Sequence, residues 1–205
     1  MCADDPDKIP FHFYLIEEKH ANAFALANGT VDIHSAMFDV LENGGELASV
    51  LGHEMAHAVE EHTRREMEYH QKKLLALTIG ATIAAGFGHS NIANTIVAAV
   101  RNGYSRSLEN QADRVGLEYI VEAGYDPREA ARVWKVLSKK YGDAPTDLFW
   151  SSHDNDTTRR SYIMAELRMN FSGLDSGQLK TNSDDFPKIA ALVHETESAK
   201  KKRNR

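Results

Sequence analysis

Short runs rich in aromatic and β-branched residues open the chain, and apolar positions at helical spacing follow. Phe11 to Glu17 (FHFYLIE) predicts a short strand, and Asn22 to Ala27 (NAFALA) and Thr30 to His34 (TVDIH) predict two more. Asn28-Gly29 between the last two predicts a two-residue hairpin turn, because both residue types tolerate positive φ. Ser35 predicts the N-cap of a short helix through Leu41, after which Gly44-Gly45 breaks the chain. From Glu46 to about His70 the spacing predicts one long amphipathic helix.

Leu74 to Gly88 and Ile92 to Val100 are apolar helical stretches separated by GHSN. A membrane-spanning helix needs ~20 consecutive apolar residues, and the first stretch falls short and ends in glycines. The pair reads as a helical hairpin, either buried or touching a membrane. Burial is the stronger reading, with Leu77, Ile79, Ile83 and Phe87 as core residues. Ser105 to Ala123 predicts a further helix ended by Gly124, and Asp126-Pro127 starts another through Lys140. A polar loop holds Trp150 to His153, Thr157 to Asn170 is helical again, and Asp184 to Ala199 predicts the last helix. With no internal repeat and no linker, the expectation is a single domain over 1–205, of α+β class and mainly α. Its ordered core runs from residue 10 to 199.

Composition narrows the function. The 205 residues are 42% apolar and 26% charged, the balance of a globular chain with a real core. A formal charge of −6 argues against a nucleic-acid surface, and the basic run Lys200 to Arg205 reads as a solvated tail. Cys2 is the sole cysteine, so neither an intramolecular disulfide nor a multi-thiolate zinc site can form. The start, MCADDPDKIP, has no apolar signal-peptide core; Cys2 reads as inert, with a lipid-modified Cys2 as the alternative.

His53-Glu54-Met55-Ala56-His57 is an HExxH sequence on the predicted long helix. Residues four apart share a helix face, so both imidazoles can reach one metal ion. Glu54 lies one step round the helix, beside the metal, where it can take a proton from an activated water. The bland alternative is a solvated face, since the run continues into AVEEHTRRE. No Gly-x-x-His follows His57, so a third ligand must come from another helix. Ser105 to Ala123 offers Glu109 and Asp113, four apart on one face, and Gly116 continues that face and permits close helix approach. As a ligand, Glu109 would leave a fourth position open for water. Asp113 behind it would accept the free ring N–H of a ligating histidine. Surface pairing of these carboxylates with Arg106 or Arg114 is the competing reading.

The stretches NAFALANG, ELASVLGHEMAHAVEEH, YSRSLENQADRVGLEYIVEAGYDP and SSHDNDTTR resemble, in that order, the HtpX and CAAX-prenyl-protease group of gluzincins, metallopeptidase family 48. The resemblance implies a zincin-like fold with a small N-terminal sheet and a helical bundle carrying the HExxH helix. It implies one zinc ion on His53, His57 and Glu109, Glu54 as base, and Asp113 as the residue that orients a ligand. His153 and Arg159 correspond to the family's H-P-x-x-x-x-R motif, with Asp154 standing where the family has proline. By that resemblance His153 is either a zinc-proximal switch or a catalytic group that stabilises the transition state; taken alone it reads as a plain loop residue. Arg159 could stabilise an oxyanion or make a salt bridge holding the His153 loop, the second being preferred. Asn22, Ala23 and Phe24 resemble the family's strand at the lip of the cleft, whose edge can pair with an extended substrate.

The implied activity is endopeptidase hydrolysis of unfolded or extended polypeptides in quality control, in the family's soluble branch. That branch implies an extracytoplasmic place in a bacterium, with peripheral membrane association left open. A zinc-containing chaperone or assembly factor is the rival from another class, and a closed structural site with His153 as fourth ligand is a third reading. His12, His20, His34, His62, His70, His89 and His194 lack partners at ligand spacing and read as structural or solvent-facing.

Overall fold

The computed structural model describes residues 9–69, 71–72, 104–141, 157–175 and 177–203. Its strands are β1 (His12–Ile16), β2 (Ala23–Ala25) and β3 (Thr30–His34), followed by a 3-10 turn over Ser35–Asp39. Its helices are α1 (Gly44–Val59), α2 (Arg106–Glu122), α3 (Arg128–Tyr141), α4 (Thr157–Asn170) and α5 (Phe186–Arg203), with a further helical run at 62–69. The fold is α+β and mainly α, as expected. The apolar pair Leu74 to Gly88 and Ile92 to Val100, the Trp150 to His153 loop and Cys2 lie outside the described residues. No described helix is long and apolar enough to cross a membrane.

β3 is central because TVDIH alternates, sending Val31 and Ile33 into the interior. It pairs antiparallel with β2 (Ala23 opposite Ile33) and parallel with β1 (His12 opposite Thr30). The β2–β3 connection is a three-residue loop rather than the expected two-residue turn: Leu26 N–H donates to Thr30 O at 2.8 Å, and Gly29 N–H to Leu26 O at 3.0 Å. A two-residue type I′ turn needs positive φ at both central residues, and here Gly29 alone takes it, at 85°.

Four further boundaries differ from the expectation. Ser35 does not cap a helix; its hydroxyl exchanges hydrogen bonds with the backbone of Glu18, and the turn it enters is 3-10. Gly44 and Gly45 do not break the chain but form the first turn of α1, capped by Asn43, whose side chain accepts from Glu46 N–H at 2.8 Å. The segment 181–183 packs so closely there that a Cβ on Gly45 would lie 2.8 Å from Thr181 O. In return that segment accepts the N–H groups of both glycines. The long helix expected from Glu46 to His70 is interrupted at Glu60 and Glu61, where Glu61 takes a left-handed φ of 52° and helix resumes at 62. At the far end, α5 continues through Arg203, so the basic run begins as helix rather than as a tail.

Gly124, at φ 80°, ends α2 as expected. Its N–H reaches Val121 O and that of Tyr125 reaches Ile120 O, satisfying the last carbonyls of the helix. One apolar core joins the helices, with Met37, Val50, Leu117, Leu137, Ile163, Phe186 and Val193 buried together. α1 packs most extensively on α2, and the two cross at glycines. A Cβ on Gly116 would sit 3.1 Å from His53 N and 3.2 Å from Gly52 C, and one on Gly52 3.1 Å from Gly116 O. A backbone atom cannot swing aside as a flexible side chain can. Gly116→Val is therefore expected to destabilise the fold by about 1–3 kcal/mol through overpacking, read from urea unfolding. Unchanged stability would show that the helices can part without cost.

Candidate metal centre

α1 carries His53 and His57 on the face that meets α2, and α2 presents Glu109 and Asp113 from successive turns. All four are buried. His53 Nε2 lies 2.9 Å from His57 Nε2 and 3.4 Å from Glu109 Oε2, and His57 Nε2 lies 3.5 Å from Glu109 Oε1. Tetrahedral ligands ~2.0–2.1 Å from zinc stand about 3.3 Å apart, so these spacings suit one ion. The three donors form a group that could hold a metal, all within 4.8 Å of one another.

The surroundings suit a cation as well. Asp113 Oδ1 lies 3.0 Å from His53 Nδ1, the arrangement that puts a proton on Nδ1 and a lone pair on Nε2. Arg159, at the start of α4, donates to both oxygens of Asp113 at 2.7 Å and pairs with Glu109 Oε2 at 2.5 Å. Its guanidinium carbon lies 4.3 Å over the ring of Trp134. With Glu54 also buried, three carboxylates face one guanidinium. When all are ionised they leave two negative charges, the complement of a divalent ion.

Burial and the charge of Arg159 both push the His53 pKa down, but Asp113 and Glu109 outweigh them and hold it up at about 9 in the metal-free protein. Burial pushes the Asp113 carboxyl up, yet the charge and hydrogen bonds of Arg159, with His53, hold it below its ordinary value. Burial raises the Tyr104 phenol to about 12 against the opposing hydrogen bond from Thr63, so it stays neutral. Tyr104 lies flat on the His57 ring at 4.1 Å.

Glu54 lies at the inner edge of the sheet: Ala25 N–H of β2 donates to its Oε2 at 3.1 Å. Asn22 O and Leu26 N–H bond across to β3, so the alternate groups of Ala23 and Ala25 face outward toward the site. Of the expected strand residues, Ala23 has its side chain buried, Phe24 is half-buried, and Asn22 Oδ1 accepts from Ala23 N–H at 3.0 Å.

The structure thus brings together His53, Glu54, His57, Glu109, Asp113 and Arg159. Arg114 pairs with Glu118, away from Asp113. Arg159 makes a salt bridge with the site carboxylates themselves; His153 lies outside the described residues. Among the bystander histidines, His62 is structural rather than solvent-facing. It is fully buried, with Nδ1 3.0 Å from His57 Nδ1 and Nε2 3.3 Å from Gln111 Oε1. His62 lies five positions beyond His57, which is off-face on a continuous helix; the turn at Glu61 brings it round. Tyr104, Gln111 and Trp134 carried no signal in periodicity or spacing, although Tyr104 and Gln111 stand within YSRSLENQAD.

An HExxH helix crossed by a second helix that supplies a carboxylate defines a zincin-type metallopeptidase centre. The chain belongs to Peptidase family M48, whose model matches residues 2–167. The family is one of peptidases and is zinc-dependent in general. It is 37% identical over 153 residues to a beta-barrel assembly-enhancing protease of Yersinia pestis, covering 69% of this chain and 31% of that protein. The protein of the same name in Escherichia coli (strain K12) is 34% identical over the same shares. The mitochondrial metalloendopeptidase OMA1 of Arabidopsis thaliana is 32% identical over 162 residues, 78% of this chain and 32% of that protein. The chain spans about a third of the length of these relatives.

Because His53 is held protonated up to about 9, any metal taken by its Nε2 must displace that proton. The sign follows: below about 9 affinity rises with pH, close to tenfold per unit, and levels off above it. Calorimetry of zinc binding at pH 7.5 in buffers of different ionisation enthalpy should show about one proton released per ion. Binding with no proton release would contradict a protonated His53.

Proposed function

We propose that this chain hydrolyses internal peptide bonds of unfolded or extended polypeptides, with one zinc ion on His53, His57 and Glu109 and Glu54 as the general base. The observation that carries the reading is the convergence of those three donors beside a buried Glu54 that is bonded to the sheet edge. A zinc ion on these donors supplies Lewis acidity, polarising the scissile carbonyl and easing deprotonation of water at neutral pH.

The chain's own residues then have distinct tasks. Glu54 accepts the proton of the attacking water and returns it to the departing amine nitrogen. Asp113 keeps His53 in the tautomer whose Nε2 is free to ligate. Arg159 holds Asp113 and Glu109 ionised and in place. On the outward edge of β2 the N–H groups of Ala23 and Ala25 are held by Asn22 Oδ1 and Glu54 Oε2, so this edge would offer an extended substrate strand the carbonyls of Ala23 and Ala25, which favours chains already unfolded over compact ones. No acyl-enzyme forms, because the nucleophile is water.

We propose quality control of proteins outside the bacterial cytoplasm as the setting, a reading compatible with two relatives named beta-barrel assembly-enhancing protease. His153, as a group that either covers or assists the site, belongs to the same proposal.

With casein as substrate, Glu54→Gln should hold a full complement of zinc and lose at least about 100-fold in turnover. Glu109→Ala should lose the metal itself, measured by elemental analysis after dialysis. Retained cleavage by Glu54→Gln would remove Glu54 from the base role.

A further inference from the structure

Asp113 accounts for the orientation of His53, and a second set of residues stands behind His57. His62 Nδ1 lies 3.0 Å from His57 Nδ1, and the two rings are nearly perpendicular at 80°. The direction of that hydrogen bond matters. If His57 donates from Nδ1, its Nε2 keeps a lone pair facing His53 and Glu109. If His62 donates instead, His57 carries its proton on Nε2 and cannot ligate a metal there.

Gln111 settles the direction. Its Nε2 donates to Glu60 Oε2, and its Oε1 accepts from Arg65 Nη1 at 2.9 Å. Turning the amide over would set oxygen against carboxylate and NH2 against guanidinium, so Glu60 and Arg65 fix Oε1 on the side of His62. His62 Nε2, 3.3 Å from that oxygen, must then be the protonated nitrogen, which leaves His62 Nδ1 as an acceptor for His57 Nδ1–H. The backbone is bent to allow this: Glu61, a non-glycine residue, takes a left-handed φ of 52°, and the chain turns so that the next side chain enters the interior.

We propose that His62 is a positioning residue for the metal centre, fixing His57 in its Nδ1–H tautomer at the end of a hydrogen-bonded relay that starts from Glu60 and Arg65 and passes through Gln111. The relay rests on the reading of His57 as a zinc ligand. It makes the second histidine of HExxH the counterpart of the first, one oriented by a carboxylate and the other by an imidazole.

Two measurements test it. Long-range proton–nitrogen NMR of the zinc-loaded protein should show His62 protonated on Nε2 and bare on Nδ1, with His57 protonated on Nδ1. A proton on His62 Nδ1 overturns the proposal, and this experiment needs no variant to fold. In competition with a chelator, His62→Ala should bind zinc about 10–100-fold more weakly than wild type. His62→Asn should recover most of the loss, since its amide oxygen can accept from His57. Gln111→Leu should weaken binding in the same direction and by less. Wild-type affinity in His62→Ala, or no recovery in His62→Asn, overturns the relay alone. A wild-type protein that takes up no zinc overturns the zinc reading and the relay with it.

Discussion

The whole site depends on two helices touching at backbone distance. Gly52 of α1 and Gly116 of α2 meet with no side chain between them, and the atoms that a Cβ on Gly116 would strike belong to the peptide at His53. That contact sets the separation between His53 and the Glu109–Asp113 face. A wider crossing, with ordinary side chains at the interface, would carry the carboxylates out of reach of the imidazoles. The small residues are thus part of the chemistry, although neither can ligate or titrate.

The second constraint is charge. Glu54, Glu109 and Asp113 are buried together, an arrangement that costs several kcal/mol unless opposite charge is close. Arg159 supplies part of it from α4 and is itself held by stacking over Trp134. The metal-free protein gains more by keeping a proton on His53. A divalent cation on these donors would replace that proton and balance the remainder, so metal affinity and the burial of the acids would be two sides of one arrangement. The sheet enters through Ala25, whose N–H ties the edge of β2 to Glu54 and sets the surface that would receive a substrate strand beside the base.

Much of this was legible in the chain itself. His53 and His57 are local in sequence, and the four-residue spacings of the two motifs report helix faces directly. Thr30 to His34 and Thr157 to Asn170 have the predicted bounds, and Gly124 stops its helix through the conformation that glycine alone adopts easily. Two of the departures come from tertiary contacts that override local rules. Gly44-Gly45 looks like a breaker until the segment 181–183 packs against it, and Ser35 looks like a cap until Glu18 claims its hydroxyl. The interruption at Glu61 carries no glycine or proline to announce it, so His62 could not be placed beside His57 from spacing alone. Arg159 was visible as a motif residue, but its partners belong to a helix more than forty residues away in sequence.

On this reading, His53, His57 and Glu109 hold the catalytic ion. An anomalous-difference map at the zinc absorption edge, from crystals of the zinc-loaded protein, tests it most directly. One strong peak is expected about 2.0–2.2 Å from His53 Nε2, His57 Nε2 and a Glu109 oxygen, with Glu54 beside the ion and not on it. A principal zinc peak elsewhere, or one with Glu54 in the ligand set and Glu109 outside it, would contradict the account.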